Sequence, residues 1–132
     1  MRIECTTDFV RLNGKTYTCP ISAAMDLVGG KWKPVIIYHL KDKPKRFSEL
    51  RRDLVSATDA TLSIQLKQLE SSGLVSRQIF GDKPPLKSIY SLTDFGRTFL
   101  PALQELTRWG NQIITERGQF TRKSVNSANN SN

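Results

Sequence analysis

The apolar positions along the chain change their period several times, and each change marks an element. Residues 9–18 read FVRL, then Asn13-Gly14, then KTYT. An Asn-Gly pair between two short alternating runs predicts a hairpin, because both residues accept the positive φ that a tight hairpin turn demands. Cys19-Pro20 opens a helix, since proline suits the first turn, where an N–H would lack a partner anyway. Ala23, Ala24, Leu27 and Val28 give that helix an apolar face, and Gly29-Gly30 ends it. Pro34 starts a second helix with Val35, Ile36, Ile37, Tyr38 and Leu40, which runs to the turn Asp42-Lys43-Pro44. After a short stretch over 45–47, Ser48 is placed to cap a brief helix over 49–54.

The next segment carries the most information. Thr58 is a good N-cap for a helix over 59–72, which Gly73 closes. On a helical wheel Leu62, Leu66 and Leu69 fall within about 60° of one another and face a core. Ala60, Ser63, Ile64, Lys67 and Ser71 lie opposite. This outer face is small, hydroxyl-bearing and basic, whereas a helix built only for solubility would more often show Glu and Lys. Residues 74–80 and 87–92 are β-type runs, joined by the turn Gly81-Asp82-Lys83-Pro84-Pro85, so they predict a hairpin with a basic tip. A short helix, a tight link, a second helix with a polar outward face and then a basic hairpin make a winged helix-turn-helix. A major groove about 12 Å wide admits one α-helix, whose N-terminal outer residues reach base edges.

Charge agrees with that shape. The chain has 132 residues, with 20 Lys and Arg against 12 Asp and Glu, a net charge of +8. Residues 31–54 hold Lys31, Lys33, Lys41, Lys43, Lys45, Arg46, Arg51 and Arg52 against Asp42, Glu49 and Asp53, a local excess of +5. Such a balance favours a polyanionic partner. The longest clean apolar run, 35–37, is far too short to span a bilayer, so no membrane partner is expected. Two cysteines do not make a disulfide scaffold, and a cytoplasmic location follows as the default. One histidine and two cysteines do not suit a structural zinc site, and no cofactor is implied. His39, the only histidine, sits in an apolar helix as a packing residue. With no phosphate-cradling Gly-rich loop and no catalytic carboxylate pair, an enzyme is not expected.

The strings CPISAAMDLVGGKWKPVIIYHL, RFSELRRDL, LSIQLKQLESSGLVSR and YSLTDFG, in this order, resemble the HxlR-type transcriptional regulators, a MarR-like winged-helix group. The resemblance covers 19 to about 113. It implies a cytosolic homodimer that binds an inverted-repeat operator in double-stranded DNA. It further implies that the cysteine before the first helix, here Cys19, can serve as a redox or electrophile sensor. The chain departs from the family pattern at Ser88-Ile89-Tyr90, where members usually read Val-Glu-Tyr, and this leaves the register of the wing open.

The expected fold is thus α+β, mostly α: an N-terminal extension over 1–18, a winged helix-turn-helix domain over 19–92, C-terminal dimerisation helices over 93–118, and a disordered tail over 119–132. Thr58, Asp59, Ala60, Thr61, Ser63, Ile64 and Lys67 form the expected base-facing set. Asp59 is ambiguous there: it repels phosphate, yet it can cap its helix or accept from cytosine. Ser48, Arg51, Arg52, Lys83 and Lys87 are expected on phosphates, which position a protein without reading sequence. For Arg51 and Arg52 the blander role is pairing with Glu49 and Asp53. Leu92, Phe99, Leu103, Leu106 and Ile113 recur at heptad-like spacing and Trp109 adds apolar area, so Phe99, Leu103, Leu106, Trp109 and Ile113 are the expected dimer contacts. Pro101 predicts a break near Leu100.

Cys19 at a helix N-terminus sits where unpaired N–H groups and the dipole favour a thiolate. Cys5 is a candidate resolving partner, within or between subunits. The alternative is a Cys19 that caps the helix or fills a small apolar space, with Cys5 a free thiol on a mobile end. An oxidant or small-molecule inducer fits the sensor reading. A winged-helix module that binds RNA or a protein without operator specificity is the competing function. An aromatic base-stacking platform would favour it, and none lies on the expected recognition face.

Overall fold

The computed structural model of the chain describes residues 3–5 and 8–121. The expected disordered tail lies outside the described residues from 122 onward. Strands β1 (Val10–Leu12) and β2 (Lys15–Tyr17) pair antiparallel, with Val10 opposite Tyr17. Asn13 and Gly14 turn between them with φ of 52° and 82°, as an Asn-Gly hairpin requires. Helix α1 (Pro20–Val28) begins on its proline and stops at Gly29. Helix α2 (Lys33–Leu40) is short, and Ile36, Ile37 and Leu40 on it are fully buried.

Strand β3 (Lys45–Arg46) leads directly into helix α3 (Phe47–Asp53). This adds a strand pairing and corrects one expectation. The stretch before the helix is a strand paired with the wing, Lys45 opposite Tyr90 and Arg46 opposite Ile89. Ser48 is not the cap, because the helix begins one residue before it. The cap position falls to Arg46, whose backbone is still extended, and Glu49 Oε1 accepts from the Arg46 N–H at 2.8 Å. That bond holds the Glu49 carboxyl below the usual carboxylate range, since it is made to the ionised form.

Helix α4 (Asp59–Ser71) follows, capped by Thr58 as its sequence foretells. Gly73 then reverses the chain with φ of 83°, a conformation open to glycine at no steric cost. Strands β4 (Val75–Phe80) and β5 (Lys87–Leu92) form the expected hairpin, and the sheet runs β3-β5-β4. Helix α5 (Asp94–Arg97) is a single turn, and α6 (Leu100–Arg117) is the longest element. The break before Leu100 is where Pro101 placed it, with the proline in the first turn of α6.

The junction at β5 explains the Ser-Leu-Thr-x-x-Gly pattern. Thr93 Oγ1 donates to the Gly73 carbonyl at 2.6 Å and accepts from Gly96 N–H at 2.9 Å. One hydroxyl thereby caps α5 and ties it to the end of α4. Gly96 packs on the Leu74 backbone so closely that a Cβ would run into the Leu74 carbonyl oxygen. The core beneath joins α2, α3, α4 and the sheet. Its fully buried side chains are Ile36, Ile37, Leu40, Leu50, Leu62, Leu66, Leu69, Leu74 and Val75.

Candidate nucleic-acid interface

Helix α4 turns Leu62, Leu66 and Leu69 into that core, so geometry forces the opposite face outward. Ala60, Ser63, Ile64 and Lys67 are exposed on it. Ile64 keeps 54% of its surface open, which is unusual for a side chain with nothing to gain from water. Lys67 makes no ion pair among the described residues.

Three members of the expected base-facing set are engaged inside the protein. Thr58 Oγ1 accepts from the Thr61 N–H at 3.1 Å and donates to Thr61 Oγ1 at 3.0 Å, so both hydroxyls serve the N-cap. Asp59 Oδ2 accepts from Arg51 Nη1 at 3.1 Å. That contact gives Asp59 a partner outside its own helix: it bridges the two helices of the helix-turn-helix, and both groups stay more than half exposed. It also revises the blander role for the arginines. Glu49 is occupied by the Arg46 backbone, and Asp53 receives Lys45 Nζ at 2.7 Å with His39 Nδ1 at 3.7 Å. Neither acid pairs with Arg51 or Arg52. Arg52 is exposed, while Ser48 is half-buried in the first turn of α3.

The wing packs on α4 through β4. Lys83 at its tip and Lys87 at the start of β5 are both exposed. Arg77 Nε lies 3.6 Å from Glu70 Oε1, which couples β4 to α4. Tyr90, buried at the centre of the sheet, has its phenol pushed up by desolvation. The sequence reading missed the apolar side chains of the wing: Ile79, Phe80 and Leu86 stand exposed around Gly81. Ile79 and Phe80 end a β-type run and Leu86 closes the turn before β5, and a run of this kind does not say which of its sides is covered.

With this face built, the comparisons fall into place. The family model for HxlR-like helix-turn-helix proteins matches residues 27–118. The chain belongs to the HxlR-like helix-turn-helix family. Its relatives there are transcriptional regulators, and it is a regulator of that kind rather than an enzyme. It is 45% identical over 92 residues to the HTH-type transcriptional regulator YybR of Bacillus subtilis, covering 70% of this chain and 73% of that one. Among solved structures it resembles the redox regulator HypR in its oxidised form, with a TM-score of 0.67 and 39% identity over 80% of this chain and all of HypR. It also resembles the reduced form of the transcriptional regulator YodB of B. subtilis, with a TM-score of 0.62 and 36% identity over 71% of this chain and 92% of YodB.

Two further features of this HxlR-like protein lie outside that face. Cys5 and Cys19 form a disulfide within the chain that closes around the β1–β2 hairpin. Cys19 occupies the N-cap of α1 but makes no side-chain cap bond there. The structure thus pairs the two cysteines within one chain. On α6, Leu106, Trp109 and Ile113 share one exposed face, with Trp109 60% open. Leu103 does not belong to it. The sequence reading took Leu103 as a dimer contact, but it is buried in the core of its own chain, and Phe99 packs partly against the same core. Heptad spacing cannot separate these roles, because positions three residues apart on a helix stand about 60° apart and can face different neighbours.

Proposed function

We propose that the chain is a cytoplasmic homodimer that binds an inverted-repeat operator through α4 and its basic wing, and that the thiol–disulfide state of Cys5 and Cys19 controls this binding. The observation that carries the DNA reading is the outward face of α4, where Ala60, Ser63, Ile64 and Lys67 are held open by a helix whose other side is locked into the core. Ala60 and Ile64 suit thymine methyls, Ser63 and Lys67 suit base-edge acceptors, and Arg52, Lys83 and Lys87 suit phosphates. Arg51 keeps donors for phosphate beyond the one it gives Asp59, and Ser48, near the start of α3, presents its hydroxyl to the same backbone.

Leu106, Trp109 and Ile113 supply the dimer contact in this reading, and two-fold symmetry then sets the recognition helices about 34–36 Å apart. Control through the cysteines draws support from the disulfide and from the likeness to a redox regulator. Disulfides in reducing compartments are usually catalytic or sensory rather than structural. Closing the bond removes two electrons and two protons from the two thiols and passes them to an oxidant such as diamide.

The test is operator footprinting with duplex affinity, on wild type and Cys19→Ser, with and without diamide. Affinity should change on oxidation in wild type alone. An unchanged affinity after complete oxidation of wild type would remove the switch and leave the DNA reading standing. A monomeric mass by sedimentation at micromolar concentration, with single half-site footprints, would remove the dimer. Lys83→Ala should weaken all duplexes alike and lower the salt dependence by about one unit.

A further inference from the structure

The start of α2 and the recognition helix meet in a contact that sequence spacing does not reveal. Lys33, the first residue of α2, donates from Nζ to Gln68 Oε1 at 2.6 Å. An ammonium carries three donors and no lone pair, so the amide atom facing it is the oxygen. The orientation of the Gln68 amide is thereby fixed, and its NH2 end is left over. The bond is charge-assisted, the strong kind. Gln68 stands one turn beyond Ile64 on the outward side of α4, and Ile64, Lys67, Gln68, Ser71 and Ser72 line a single shallow recess of about 520 Å³ open to solvent.

We propose that Gln68 is a base-reading residue of this protein, that Lys33 is its positioning residue, and that the base read is guanine. The inference rests on the DNA reading above. A free glutamine suits adenine, whose groove edge offers one acceptor and one donor to the two ends of the amide. Here Lys33 takes one of the oxygen's two lone pairs and sets its ammonium beside the other, which disfavours a second donor such as the adenine amino group, while the exposed end is a pair of N–H donors. Guanine alone presents two acceptors, N7 and O6, in the major groove, whereas cytosine presents a donor and thymine one acceptor beside a methyl group. The pair therefore favours guanine.

The experiment selects bound duplexes from a random pool with the full-length protein, then measures affinity for the selected site and for its single-base variants at two salt concentrations. Wild type should fix a guanine at one position in each half-site. Gln68→Ala should lose that preference, by about tenfold or more, and leave the other positions unchanged. Lys33→Met, which keeps the stem, should relax the same position, and Lys33→Arg should restore it. The double variant should be no worse than Gln68→Ala alone, because the two act as one unit.

Gln68→Glu keeps the bond to Lys33 and hence the fold, but exchanges the donors for an acceptor; it should abolish the guanine preference and turn it toward cytosine. If Gln68→Ala and Gln68→Glu leave base preference intact, the proposal fails. It fails equally if Lys33→Met weakens every duplex alike and lowers the salt slope by about one unit, which would make Lys33 a phosphate contact. A wild type with no sequence preference at all would overturn the operator reading together with the pair, and is distinguishable from both.

Discussion

The centre and the ends of this chain handle apolar surface in opposite ways. Between Ile36 and Val75 every large side chain of the core is closed off, and the helices α2, α3 and α4 satisfy one another with the sheet. At the two ends the large apolar groups stay open: Phe9, Ile21 and Met25 before the core, Leu106, Trp109 and Ile114 after it. The centre completes a core of its own, and the large apolar groups it leaves open, such as Ile64 and the wing's Ile79 and Phe80, lie outside that core. On α6 the open groups of the C-terminal end gather, with Leu106, Trp109 and Ile113 on one face. The same contrast holds within one helix, since Leu103 points into the centre and Leu106, less than one turn on, points away.

The contrast is largest on α6. Leu103→Ala should cost about 2–5 kcal/mol in denaturant unfolding, whatever the protein concentration, because its neighbours belong to the same chain. Leu106→Ala and Trp109→Ala should instead make themselves felt through assembly, lowering the dimer population by sedimentation and giving a melting temperature that no longer rises with concentration. A concentration-dependent loss in Leu103→Ala, or none in Trp109→Ala, would erase the distinction between core and open face.

Next in size is the disulfide at the N-terminal end. Cys5 and Cys19 are 14 residues apart, and closing a loop of that length restrains the unfolded segment by about 3 kcal/mol. Reduction should therefore raise hydrogen exchange at the amides of β1 and β2 while those of α4 stay protected. Equal deprotection of both would show that the end and the centre unfold together.

Thr93 sits on the seam between the two regions. Thr93→Ala removes the α5 cap and the bond to the Gly73 carbonyl, and should cost about 1–2 kcal/mol, with Thr93→Ser recovering most of it. The smallest effect belongs to Glu49. Its folded pKa is lowered by the Arg46 N–H, so the stabilisation is present above the ordinary carboxylate value and is lost as pH falls through the lower folded one. Glu49→Gln should flatten that acid limb slightly in a pH series of melts and leave neutral stability nearly unchanged, since the group is exposed and its amide still accepts from Arg46.

Most of the fold is legible in the sequence because local chemistry decides it. Asn13-Gly14 can hardly do other than turn, Thr58 caps because its hydroxyl reaches the third N–H of its helix, and Pro101 cannot continue a helix backwards. The leucine stripe of α4 determines which side of that helix faces out, and hence most of the candidate DNA surface. What needed the tertiary structure is every question of which neighbour a side chain meets. β3 joins the wing because strand pairing links residues 45 apart in sequence, Lys45 with Tyr90, and a two-residue strand has no pattern of its own. That pairing moved the start of α3 and took the cap away from Ser48. Asp59 finds Arg51, Gln68 finds Lys33 and Cys19 finds Cys5 across gaps that no helical or strand period spans. Leu103 and Leu106 look alike in any heptad count, and only the placement of α2 beside α6 separates core from surface. Periodicity reports which face of an element is apolar; it carries no information about what lies opposite, because that depends on how the loops bring distant elements together.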